Sequence, residues 1–157
     1  MNECEIRAHL EACRRSNLRM RRALPDGSPY TWTDDFVLRH GAFCRAQPLP
    51  RGYRHGAVKQ CFGNAFKLTL RSQGLRYVEG YAVPVESAVL LHHAWCVDRD
   101  DRVIDVTWRR VGIGYFGVVF SLDVVARSIA SGGNGVLDDW PNGWPILHQP
   151  FKARTTG

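Results

Sequence analysis

The stretch from Cys61 to Trp108 constrains the fold most, because its hydrophobic period changes there from helical to strand-like. Phe62, Phe66 and Leu70 recur every four residues, with Ala65 and Thr69 beside them and Gly74 just beyond. That pattern predicts a short buried helix over about residues 61–73, ended by the glycine. Arg76–Val83 then alternates and is rich in strand formers. Val89–Val97 reads as a second strand and Arg102–Trp108 as a third. The polar run Asp98-Arg99-Asp100-Asp101 between them predicts a hairpin. Tyr115–Phe120 reads as a fourth strand. One helix followed by antiparallel strands predicts an α+β fold.

The flanks read less sharply. Ile6, Leu10, Cys13, Met20 and Leu24 fall on one face of a helix over residues 3–23, with Asn17 interrupting the stripe. Pro25-Asp26-Gly27-Ser28-Pro29 breaks that helix. Residues 35–46 read as strand or irregular structure, and Pro48-Leu49-Pro50-Arg51-Gly52 as a turn region. Ser121 is placed to cap a helix over Leu122–Ala130, which Ser131-Gly132-Gly133-Asn134-Gly135 ends. The tail with Trp140 and Trp144 reads as an irregular segment packed on the surface. The expected organisation is a single domain over 1–157. It comprises an N-terminal helical and irregular extension (1–50), a core (58–120) and a C-terminal helix with its tail (121–157).

A chain of 157 residues, 45% hydrophobic and 23% charged, can enclose a core without staples. No apolar run is long enough to span a membrane, and Met1-Asn2-Glu3-Cys4-Glu5 does not begin a secretory signal. Cys4, Cys13, Cys44, Cys61 and Cys96 are odd in number and widely spaced, which predicts reduced thiols and a cytoplasmic setting. With no CxxC pair and no His at ligand spacing, no metal site is expected. The net charge of +6 gathers partly on Arg14, Arg15, Arg21 and Arg22. Such a helix either presents a solvated basic face or docks an acidic partner, protein or nucleic acid.

Within the core, three segments offer a thiol, an imidazole and a carboxylate: Gln60-Cys61-Phe62, His92-His93-Ala94-Trp95 and Asp105-Val106-Thr107. A thiol at a helix N-terminus meets unsatisfied N–H groups and the positive end of the dipole, and both favour the thiolate. A hairpin turning near Arg99–Asp100 pairs residues whose numbers sum to about 198 or 199, which places His93 opposite Asp105 or Val106. Alternation then puts His92 and Cys96 together on the other face, so Cys96 is a poor partner for His93. If His93 turns toward the helix, His92 turns away from it. Taken singly, each residue also has a plain structural role: a buried small hydrophobe, a core histidine, a carboxylate capping a turn.

His93-Ala94-Trp95, a turn, and then Asp105-Val106-Thr107 resembles the HAW … D-x-T signature of transglutaminase-like proteins, members of the papain-like cysteine enzymes. The likeness covers about residues 58–120. Val106 stands where those proteins often carry Pro, and Phe62 where they often carry Trp beside the nucleophile. The resemblance implies a papain/transglutaminase-like core, with a Cys-bearing helix packed on an antiparallel sheet that carries His and Asp. It also implies acyl transfer through a thioester on a protein, peptide or small amide, with no cofactor. In that reading Cys61 is the nucleophile, His93 the acid–base and Asp105 its orienting group. Gln60 is placed to help hold an oxyanion, and Trp95 either walls the site or belongs to the core. The alternative is a catalytically silent papain-like binding module that engages an acidic partner through its Arg-rich helix.

Overall fold

The computed structural model describes residues 1–19, 24, 27–87 and 89–151. These residues form an α+β fold with four helices and a five-stranded antiparallel sheet among them. In chain order the elements are α1 (Glu3–Arg19), α2 (Thr33–His40), β1 (Ala42–Cys44), α3 (Cys61–Arg71) and β2 (Arg76–Val83). They continue with β3 (Leu91–Val97), β4 (Val103–Ile104), β5 (Gly114–Phe120) and α4 (Leu122–Ala130). Two short 3-10 turns, Trp140–Asn142 and Pro145–Leu147, carry the C-terminal segment. The strands lie in the order β1-β5-β2-β3-β4. No helix among the described residues is long and apolar enough to cross a membrane.

Because side chains alternate along a strand, the sheet presents two different faces. Tyr77, Ala94, Cys96, Phe116, Val118 and Phe120 belong to one core, shared with Ile6 and Leu10 of α1, Phe36 and Val37 of α2, Ala65 of α3 and Val125 of α4. Val78, Ala82, Trp95, Val97, Val103 and Tyr115 form a second core on the opposite face, packed by Cys44, Trp108 and Val111. One face therefore carries the helices and the other is covered by loop. Gly117 makes that second core possible: a Cβ there would lie 2.8 Å from the Trp95 ring.

Four sequence expectations are corrected here. Much of the stretch 35–46, read as strand or irregular, belongs to the helix Thr33–His40, and only Ala42–Cys44 of it is strand. Acidic Asp34 and Asp35 in its first turn and Arg39 and His40 in its last complement the helix dipole. The buried stripe of α3 is Cys61, Ala65 and Thr69, whereas Leu70 is 58% exposed. Small residues on that stripe let α3 approach the sheet closely. The Cys96 Sγ lies 3.3 Å from the Ala65 carbonyl and 3.2 Å from the Thr69 Oγ1. Cys13, placed on the buried stripe of α1, is exposed, while Ile6 and Leu10 are buried. Finally, β4 is two residues long rather than seven, and it pairs Cys96 with Ile104 and Val97 with Val103. That register carries His93 to the level of Thr107, one or two residues past the expected partner. The cause is the loop. Asp98 Oδ1 accepts the N–H groups of Asp100 and Arg102, and Asp101 adopts the left-handed region at φ 58°, within the connection formed by residues 98–102.

Glu79 is fully buried in the middle of β2. Its carboxylate accepts the N–H groups of Val136 (2.8 Å), Leu137 (2.6 Å) and Asp138 (3.1 Å) and the Tyr77 hydroxyl (3.0 Å). His92 Nε2 lies 3.2 Å from the same group. A buried charge persists only when its acceptor sites are filled, and here the C-terminal loop fills most of them. Glu79→Ala should lower the unfolding free energy by about 3 kcal/mol, because several buried donors lose their acceptor together. Tyr77→Phe should lower it by only about 1 kcal/mol. Urea denaturation of the two variants checks the contrast.

Candidate active site

Asp105 is the first residue after β4 and its carboxylate ends the strand. Oδ1 accepts the backbone N–H groups of Thr107 (2.8 Å) and Trp108 (3.3 Å), turning the chain away from β3. Oδ2 takes the Tyr115 hydroxyl and His93 Nε2, each at 2.9 Å. The Tyr115 oxygen in turn accepts the Gly112 N–H at 2.8 Å. His93 is 2% exposed and Asp105 5% exposed, so the pair is shielded from water.

Asp105 leaves the other ring nitrogen of His93, Nδ1, uncommitted, and the Cys61 thiol lies close enough to the ring to help raise its pKa. The approach differs from the expected one. α3 lies on the His92, Ala94 and Cys96 side of β3, with the Phe62 ring 5.3 Å from His92. The expectation that His93 turns to the helix and His92 away is thus reversed. Cys61 nevertheless meets His93, because β4 pairs only with Cys96 and Val97. Beside His93 the outer edge of β3 has no strand partner, and Cys61, as the first residue of α3, sits at the tip that reaches that edge.

Asn64, one turn into α3, fixes this approach. Its Nδ2 donates to the Ala57 carbonyl (2.7 Å) and to Thr107 Oγ1 (3.1 Å), while the Gly56 N–H donates to the Val106 carbonyl (2.8 Å). A side chain on Gly56 would collide with the Asn64 amide. The helix that begins at Cys61 and the Asp105 turn are therefore latched to one loop. Chain entry into α3 passes through Lys59 in the left-handed region at φ 61°, a conformation costing a non-glycine residue about 1 kcal/mol or more. Gln60 occupies the N-cap with no side-chain capping bond, and it is exposed.

Trp108 stacks on His93 at 4.1 Å with an interplanar angle of 15°. Trp95, 1% exposed, lies in the second core with its ring 6.1 Å from that of His93. Trp108 is the aromatic residue that covers the imidazole, and Trp95 backs it. Sequence reasoning missed Trp108, Tyr115, Thr107 and Asn64. Thr107 carried a signal as the last residue of the D-x-T signature, and Trp108 as a large aromatic residue three places after Asp105.

Electrostatics separate the thiols. Burial pushes Cys44 and Cys96 up to about 12 each, which keeps both protonated near neutrality. Cys4 and Cys13 are exposed, and all five cysteines are free. For His93, burial opposes the charged ring, but the Asp105 hydrogen bond, the Cys61 hydrogen bond and the charges on both outweigh it. The His93 pKa rises to about 9. Burial pushes Asp105 up, yet the hydrogen bond and charge of His93, with the Thr107 N–H and the Tyr115 hydroxyl, bring it below the usual carboxylate value.

Arg14 and Arg15, expected to face an acidic partner, both lie against Glu11 of their own helix, at 2.5 and 3.9 Å. Arg21 and Arg22 lie outside the described residues.

These shifts fix the pH dependence of stability. His93 binds its proton more tightly in the folded state, so its contribution is fully present below about 6.5 and is lost as pH rises through about 9. Asp105 is shifted down, so its contribution is present above 3.8 and is lost as pH falls through its lowered folded value. The stability gap between the wild type and His93→Gln should therefore be widest between those limits and shrink toward both, as urea denaturation across the pH range will show. No family model, no curated protein and no solved structure matches this chain.

Proposed function

We propose that the protein is a cysteine-dependent acyl-transfer enzyme with a papain/transglutaminase-like core. The observation that carries this reading is one buried imidazole, that of His93, hydrogen-bonded to the Asp105 carboxylate and near enough to the Cys61 thiol for that thiol to help raise its pKa. A helix that begins at the cysteine and packs on an antiparallel sheet supports the same reading.

The chemistry follows from the order of contacts. Asp105 fixes Nε2 of His93 as the nitrogen that faces the carboxylate, so Nδ1 exchanges a proton with the thiol. A protonated His93 stabilises the Cys61 thiolate, which attacks the substrate carbonyl and forms a carbon–sulfur bond. The oxyanion that develops is met by the Cys61 N–H at the start of α3, with the Gln60 amide beside it. Nδ1 then protonates the departing amine, the carbon–nitrogen bond breaks, and a thioester remains. Water or a second amine, deprotonated by His93, releases the acyl group and regenerates the thiol. No step calls on a cofactor. The substrate amide belongs to a protein, a peptide or a small molecule. For the alternative of an acidic partner held by the Arg-rich helix, Glu11 offsets one of the two charges of Arg14 and Arg15.

Iodoacetamide near pH 7 should alkylate Cys61 at least about ten times faster than the exposed Cys4 and Cys13, since a paired thiolate reacts ahead of an ordinary thiol. His93→Ala should remove that advantage. Peptide mass mapping of timed samples reads both. Equal rates at Cys61, Cys4 and Cys13 in the wild type would sink the proposal.

A further inference from the structure

A cleft of about 340 Å³ adjoins the carboxylate end of this site and is lined in part by Asp105 and Trp108. Leu49, Val85 and Val111 give it apolar walls, and His55, Arg109 and Arg110 give it basic ones. The charges within it do not cancel. Arg110 pairs with Glu86 at 3.2 Å. Both Asp105 oxygens are already occupied by the donors described above, and the adjacent His93 offsets their charge. Arg109 makes no ion pair among the described residues, and His55 Nδ1 is buried with no hydrogen-bond partner among them. An unpaired guanidinium and an unpaired ring nitrogen lining one cleft suit a carboxylate, since charge-assisted hydrogen bonds to it satisfy both. The apolar walls suit a short hydrocarbon stem. Trp108 joins this cleft to the reacting groups, because the indole that lines it also lies on His93.

We infer that the cleft is a specificity subsite for a carboxylate on an apolar stem, carried by the acyl donor. Arg109 supplies the charge, His55 a hydrogen bond and Trp108 the wall shared with the triad. As a substrate subsite this rests on the acyl-transfer reading, but carboxylate binding itself is measurable without turnover. The wild-type protein is titrated with hexanoate and, separately, with neutral hexanamide of the same shape, while the Trp108 indole and His55 ring signals are followed by NMR. Hexanoate should give saturable shifts at both residues, hexanamide should bind at least about ten-fold more weakly, and Arg109→Gln should abolish the difference. Arg109 is exposed, and unchanged signals from the other tryptophans will show that the variant remains folded. Equal shifts with the two ligands, no shift with either, or a preference that persists in Arg109→Gln overturns the subsite. Hexanoate binding without preferential alkylation of Cys61 would retire the enzyme reading and leave the carboxylate site standing.

Discussion

The Asp105 carboxylate does three jobs at once, and the site depends on their coincidence. By capping the N–H groups of Thr107 and Trp108 it ends β4 after two residues. By accepting from Tyr115 it is held to β5. By accepting from His93 it sets the orientation of the ring. The first job makes the third useful. A longer β4 would cover the edge of β3 beside His93, and the tip of α3 would have no route from the helical face to the imidazole. A strand cut short is thus a condition of the chemistry proposed for it.

The closeness of α3 to the sheet depends on the small residues Ala65 and Thr69. Phe62 and Phe66 are only half-buried and flank the contact rather than forming it. Cys61 shares the stripe of Ala65 and Thr69, so the packing that seats the helix also turns the sulfur inward. Asn64 then fixes the end of the helix against Thr107 and the loop at Ala57. Packing sets the distance between helix and sheet, and hydrogen bonds set how the tip is aimed.

These particulars explain what was legible in the sequence. The strands Arg76–Val83 and Tyr115–Phe120 were readable because alternation and β-branched residues report burial on a pleated surface. The proximity of His93 to Asp105 was readable because the acidic run between them announces a turn. The register was not, since the Asp98 caps and left-handed Asp101 lengthen that turn through bonds no periodicity encodes. The stripe of α3 was misread by one residue because large aromatics dominate a hydrophobic count, while close approach favours small side chains. Residues 33–40 were missed as a helix because capping charges, not a long apolar stripe, define that short element. Asn64 acts through Thr107, 43 positions away, and Tyr115 through Asp105 across a loop, and neither contact is revealed by a local pattern.

The ties from Glu79 to residues 136–138 bear on how the chain is made. These bonds span 57 to 59 positions. A nascent chain that has delivered β2 and β3 but not this loop holds a carboxylate at the centre of its sheet with most of its donors still in the ribosome. Such an intermediate has every reason to stay open, since closing it would bury an unsatisfied charge. The thiol of Cys61 is therefore synthesised long before its surroundings can close around it. A loop that emerges after the last strand governs when the carboxylate at the centre of the sheet acquires its donors.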